Sequence, residues 1–162
     1  MATKSDTTVL ITGASSGMGY EFARHYAQLD YNIIMVSLDK ERLSSAAHEI
    51  SKLAKGDVHY ITQDLSKADS ANGLYKRVIG DGHKVDILIN NAGFATAGSF
   101  ATTSLDDEAA EMTLNMVTLT LLTKLFLKDM LQRKHGKILN VASLAATAAG
   151  PYMAVYYASK SY

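Results

Sequence analysis

Cysteine is absent and proline occurs once. Without a thiol there is neither a disulfide framework nor a thiolate metal site, and the composition suits a reducing compartment. An excess charge of one sign is lacking too. Sixteen Lys and Arg side chains cancel sixteen Asp and Glu, so no global bias draws the chain to nucleic acid or to an anionic membrane. The start, MATKSDTTVLITG, shows no signal-peptide apolar run, and no stretch reads as the ~20 consecutive apolar residues of a membrane span. A soluble, cytoplasmic protein is the expectation. The five histidines show no H-E-x-x-H or other ligand spacing, so no metal site is expected. Repeats, low-complexity tracts and linkers are also missing. What is there is 162 residues, about half of them apolar, enough for one domain, residues 1–162, with a real core.

Short β-rich apolar runs alternate with longer helical patterns. The runs are Thr8–Thr12, Asn32–Val36, Val58–Thr62, Val85–Ile89 and Lys137–Val141. Strands separated by helices imply βαβ units, and strands that are apolar almost throughout imply a parallel sheet covered on both faces. The expected fold is therefore α/β, a doubly wound three-layer parallel sheet. The segment MTLNMVTLTLLTKLFLKDML is apolar nearly all round. Such a helix must be covered on two sides, by the sheet and by a second partner. The basic run Arg133–Lys137 reads as a solvated helix end.

The stretch TGASSGMG, Thr12 to Gly19, leaves the first strand and enters a helical pattern. Glycines fall where the backbone must turn tightly, and a helix N-terminus there offers free N–H groups to a phosphate. No lysine precedes a Ser or Thr at the helix start, which excludes a P-loop, and the spacing is G-x-x-x-G-x-G, not G-x-G-x-x-G. The alternative is a glycine-rich turn that serves only close packing.

Near the end the sequence reads VYYASKSY. Residues three or four apart share a helix face, so Tyr156 and Lys160 are neighbours. Tyr157 is three residues from the lysine, while Tyr162 points elsewhere. A surface tyrosine beside a lysine stem has the same spacing, so the pair decides nothing alone.

Taken with NNAG at Asn90–Gly93 and with Ser143, these motifs resemble the short-chain dehydrogenase/reductase family, in order and along the whole chain. Twelve residues separate Ser143 from Tyr156, as in the family pattern. The resemblance implies a Rossmann-like domain that binds a nicotinamide cofactor, NAD or NADP, and moves a hydride to or from a small-molecule carbonyl or alcohol. It implies Asn115, Ser143, Tyr156 and Lys160 as the catalytic set, Asn115 holding a water in a proton relay behind the lysine. It implies cofactor contacts from Thr12, Gly13, Ser15, Ser16, Gly17, Met18 and Gly19, from Ser37 and Asp39, from Asp64 and Leu65, from Asn91, Ala92 and Gly93, and from Tyr156 and Lys160.

The chemistry supports the roles. Reducing a ketone needs a proton for the developing alkoxide, and an ordinary tyrosine, with a pKa near ~10, is too weak an acid for neutral pH. A cation ~5 Å away at an effective dielectric of ~20 favours a phenolate by ~3 kcal/mol. Lys160 supplies that charge to Tyr156, and Ser143 donates a hydroxyl to the substrate oxygen. A different class, a catalytically silent nucleotide-binding or interaction module, is opposed by the intact set.

Several positions stay open. Ser37 and Leu38 hold the two places that usually discriminate NAD from NADP. Asp39 is either a ribose contact or the cap of the helix KERLSSAAHEI, Lys40 and Arg42 are either 2′-phosphate contacts or solvated, and Asp64 either borders adenine or caps. The apolar band Met112–Leu131 is expected to pair two-fold in a homodimer or homotetramer. Family members continue past the helix that carries Lys160. The expectation is therefore a fragment lacking the C-terminal strands, inactive alone, with its fifth strand an uncovered edge.

Overall fold

In the computed structural model, which describes residues 6–162, five strands form one parallel sheet in the order β3-β2-β1-β4-β5. The opening residues, expected to carry no leader, lie outside the described residues. The elements are β1 (Thr8–Thr12), α1 (Gly17–Gln28), β2 (Asn32–Ser37), α2 (Lys40–Ser51), β3 (Val58–Thr62), α3 (Ser70–Gly80), β4 (Ile87–Asn90), α4 (Leu105–Met112), a π-helical turn (Thr113–Thr118), α5 (Leu119–Arg133), β5 (Lys137–Asn140), a 3-10 turn (Leu144–Thr147) and α6 (Ala154–Ser161). This is the doubly wound α/β architecture that the alternation of patterns predicts.

The inner strands are apolar on both faces because helices cover both. Val9, Ile11, Ile33 and Met35 pack with Ala23, Leu43 and Ile50 on one side. Leu10, Ile34, Val36 and Leu88 pack with Leu74, Leu122 and Phe126 on the other. Full burial of such a side chain contributes about 1.5–3 kcal/mol. The same coverage fails at the sheet margins. In β3, His59 and Tyr60 are exposed, and β5 has only one half-buried residue. An edge strand lacks a neighbour whose helix would lie over it.

β4 starts two residues later than the run Val85–Ile89 suggests. Asp86 is buried and turns its carboxylate to accept the Thr8 backbone N–H at 3.2 Å, with Lys84 at 3.0 Å. Arg133 joins it there, its guanidinium donating to the Val85 carbonyl at 2.8 Å, so this end of the basic run is bonded, not solvated as expected.

The helical stretch Leu105–Arg133 is 29 residues long, with an 18-residue window of mean hydropathy 1.2. By length and composition it is long and apolar enough to cross a membrane, which corrects the expectation that no stretch is. Here Leu122, Phe126 and Met130 are buried against the sheet. Val117, Leu121, Leu127 and Leu131 stay exposed beside Lys124 and Lys128.

Candidate active site

The first turn is shaped by close approach. Gly13 has φ +67°, and a Cβ there would lie 2.9 Å from the Ala92 Cα. A Cβ on Gly19 would collide with the Gly13 carbonyl, so α1 can enter this near to the strand only as glycine. Gly17, at φ +53°, has nothing within 4 Å of a Cβ. It opens α1 towards empty space. Ser16 precedes it in extended conformation without a side-chain cap bond, and no acidic residue sits in the first turn of the helix. Free amides and a positive dipole end thus face outward, an arrangement that fits a phosphate. Ser16, Gly17 and Met18 are exposed around this opening.

The residues beneath the turn hold it. Thr12 is buried, and its hydroxyl accepts the N–H groups of Asn91 and Ala92, each at 3.0 Å. The Asn91 side chain donates back to the carbonyls of Thr12 at 3.0 Å and Gly13 at 3.3 Å. Thr12 and Asn91 therefore face each other across β1 and β4. Asn90 performs the next bracket, donating to Thr123 at 3.0 Å and to the Asn140 side chain at 2.9 Å.

One cleft lies over this end of the sheet, lined by Gly13, Ser37, Leu38, Asp64, Leu65, Ala92, Gly93 and Phe94. Ser37, which lines it, shares a hydroxyl bond of 2.9 Å with Ser15. Asp39 is the N-cap of α2, its carboxylate accepting the Arg42 backbone N–H at 3.0 Å through one oxygen. Asp64 closes its own turn, accepting the Ser66 N–H at 3.0 Å and hydroxyl at 2.6 Å. It caps no helix, since α3 begins only at Ser70, and it remains on the cleft.

The chemical side gathers around Gly93. A Cβ built there would lie 3.0 Å from Asn115 Oδ1 and 3.4 Å from Lys160 Nζ, so the glycine lets both side chains close on one point of backbone. Asn115 sits in the π-helical turn and is buried. Its amide donates to the Phe94 carbonyl and to Ser159 Oγ, both at 3.0 Å, and its oxygen accepts the Phe94 N–H at 3.3 Å. The sequence offers no reading of Ser159, yet Ser159 links the set: its hydroxyl donates to the Tyr156 carbonyl at 2.9 Å. A serine inside a helix usually bonds its own backbone, which hides a cross-link of this kind.

Lys160 Nζ donates to the Val141 carbonyl at 3.2 Å and lies 6.0 Å from the centre of the Tyr156 ring. The spacing that pairs them in the sequence therefore pairs them in space. Tyr157 faces away, and a Cβ on Gly150 would run into its ring. Ser143 stands on the segment after β5, where it caps the 3-10 turn by accepting the Ala145 N–H at 3.1 Å. Its hydroxyl proton stays free to donate. Chemically, there is a phenol with a cation beside it, a hydroxyl donor on the segment after β5, and a cleft that reaches Gly93.

Two buried carboxylates were not legible beforehand. Glu111 accepts the Thr96 N–H at 2.7 Å, and Glu108 accepts the Thr103 hydroxyl. Both fasten the loop between β4 and α4. In the sequence Glu108 looks like part of the acidic first turn of any exposed helix, and Glu111 like one more charge on its surface.

The family model described as short chain dehydrogenase matches residues 7–162. The chain is 34% identical over 161 residues to ketoacyl reductase HetN of a Nostoc species, covering 99% of this chain and 56% of that protein. It is 31% identical to a very-long-chain 3-oxoacyl-CoA reductase of Aspergillus clavatus, over 94% of this chain and 45% of the other. Among solved structures, a short-chain dehydrogenase from Sphingobium yanoikuyae in complex with NADPH superposes with a TM-score of 0.88 at 32% identity, over 96% of this chain and 61% of that one. The chain spans about half the length of the curated relatives it matches.

Proposed function

Because the chain belongs to the short-chain dehydrogenase family, we propose that the intact protein is an NAD(P)-dependent oxidoreductase interconverting a carbonyl compound and an alcohol. The observation that carries this reading is the convergence of Asn115 and Lys160 on Gly93, with the Tyr156 ring beside the lysine. A silent module would have no need to keep a phenol, an ammonium and a buried amide around one glycine.

The residues fit the cofactor. The open N-terminus of α1 suits its pyrophosphate, and the cleft between Ser37, Asp64 and Gly93 suits its nucleoside ends. The chemistry that a bound nicotinamide supplies is hydride donation or acceptance. This chain supplies the proton. Ser143 donates its hydroxyl to the substrate oxygen and orients it, and Tyr156 gives its phenolic proton to that oxygen as alkoxide character develops. Lys160 favours the phenolate that remains. Asn115 holds Phe94 and Ser159 in place, and with them the base of the lysine's helix. In alcohol oxidation Tyr156 acts in reverse, as the base.

The exposed stripe Val117, Leu121, Leu127 and Leu131 is where a second copy would pack two-fold, in a cytoplasmic homodimer or homotetramer without membrane or nucleic-acid partners. The test is a screen of the intact protein with NADH and NADPH against carbonyls and alcohols. Oxidation of either nucleotide that depends on a carbonyl and disappears with Tyr156→Phe supports the reading. Nucleotide binding with no turnover of any carbonyl would return it to the silent module.

A further inference from the structure

Resting on that reading, we propose that Thr118 is a positioning residue for the nucleotide, which acts through the Leu65 carbonyl on the wall of the cleft that takes the adenosine end. The cleft has two walls, Asp64, Leu65 and Ser66 after β3 on one side and Ala92, Gly93 and Phe94 after β4 on the other. The reacting end of the nucleotide must reach Gly93, where Asn115 and Lys160 converge, so the Leu65 wall takes the other end. β2 and β1 lie between β3 and β4. The sheet therefore bonds neither wall directly to the other, and the link comes from the π-helical turn Thr113–Thr118.

Asn115 holds the Phe94 wall through both backbone groups of Phe94, at 3.0 and 3.3 Å. Three residues on, the Thr118 hydroxyl donates to the Leu65 carbonyl at 2.8 Å, and Leu114 of the same turn lines the cleft itself. One turn thus grips both walls. Thr113, at its start, shows what a helical threonine ordinarily does, returning its hydroxyl to the Ala109 carbonyl of its own helix at 2.8 Å. Thr118 reaches across 53 residues instead. Thr118 and Leu65 are both buried, and the carbonyl takes a second hydroxyl from Ser70, the first residue of α3, at 3.2 Å. The two hydroxyl oxygens stand 3.5 Å apart, so the shorter bonds to the carbonyl take both protons. Water reaches a buried carbonyl poorly, and losing a donor here favours a shift of the Asp64–Ser66 turn. That shift falls on the adenosine end of the cleft.

Calorimetry on the intact protein compares NADH or NADPH, whichever binds, with ADP-ribose or its 2′-phosphate, which lack the nicotinamide. Thr118→Val replaces the hydroxyl by a methyl of similar size and should weaken dinucleotide and fragment alike, each about tenfold. Thr118→Ser keeps the hydroxyl and should bind as the wild type does. In turnover, Thr118→Val should raise the nucleotide KM and leave kcat at saturation within about twofold, since Asn115 retains its own bonds. Phe126→Leu, in the same core but off the cleft, should lower the melting temperature without a change of affinity, which separates positioning from a general loss of stability. If Thr118→Val does not fold, Ser70→Ala removes the other donor and should weaken the fragment about threefold. Three results overturn the proposal while the oxidoreductase reading stands: unchanged affinity in Thr118→Val, or in Ser70→Ala where only that variant folds; an equal loss in Phe126→Leu; or a loss confined to the dinucleotide, which puts the effect at Gly93. A wild type that binds neither dinucleotide overturns that reading, and this proposal with it.

Discussion

Two turns sit at the carboxyl ends of parallel strands and are built from different materials. After β1 the turn is made of backbone: Gly13, Gly17 and Gly19 shape it, and the groups it presents are main-chain amides. After β5 the segment is made for side chains, with Ser143 on a 3-10 cap and Tyr156 and Lys160 on an eight-residue helix. The first turn leaves a strand buried at four of its five residues, whereas the second leaves a sheet edge with one half-buried residue. A backbone site tolerates no added atoms but is indifferent to most chemistry around it. A side-chain site tolerates neighbours but fails when one functional atom is removed.

The largest expected effect is on the side-chain half. Tyr156→Phe removes one oxygen and should lower kcat about 10²- to 10⁴-fold, with nucleotide affinity unchanged in a binding titration; a variant that kept most of its rate would erase the contrast. Gly17→Val tests the backbone half. It puts a β-branched residue at φ +53°, at a cost of about 1–2 kcal/mol, and fills the space before the helix, so nucleotide binding should weaken at least about tenfold. Native affinity by calorimetry would mean that the phosphate sits elsewhere. Lys160→Met removes the cation beside the phenol and should slow turnover about tenfold or more at neutral pH. In alcohol oxidation, where Tyr156 is the base, the loss should be smaller at pH 10, where hydroxide helps form the phenolate, and a uniform loss in the pH profile would leave the lysine only a binding role. Smallest is Asp39→Ala. Losing the cap of α2 should cost about 1 kcal/mol in a denaturant melt without altering the ratio of NADH to NADPH affinity; a changed ratio would return Asp39 to the ribose.

A second tyrosine sharpens the same point. Tyr75 donates to Asp129 at 2.8 Å, and that hydrogen bond, then burial and the carboxylate's charge, raise its pKa. A carboxylate partner holds a phenol's proton on, whereas the charged group beside Tyr156 is an ammonium, 6.0 Å from the ring centre.

Much of this was legible in the sequence because each material leaves its own trace. The strands showed as apolar runs, and the backbone site showed as glycines that nothing but close approach explains. Tyr156 and Lys160 showed through helical spacing. What stayed hidden depended on contacts across the sheet. The capping bond of Asp39 to Arg42 was one of two readings until it was seen, and Arg133 looked solvated until Asp86 stood beside it. Ser159, Glu108 and Glu111 carry no local signal, since their partners lie on other elements. β5 reads like an inner strand because its own residues do not record how many neighbours it has.

The bracket between Thr12 and Asn91 spans 79 residues, and this has a consequence for how the chain comes into being. Closing so long a loop is an entropic step that no local propensity can replace. At roughly 5–20 residues per second of synthesis, Asn91 leaves the ribosome about 4–16 s after Thr12. Until then β1 has no partner on the β4 side, and the carbonyls of Thr12 and Gly13 lack the amide that fixes them. A nascent chain therefore lacks the fixed form of the Gly13–Gly19 turn for its first ninety residues, and whatever binds the folded turn can stabilise it only after β4 has docked.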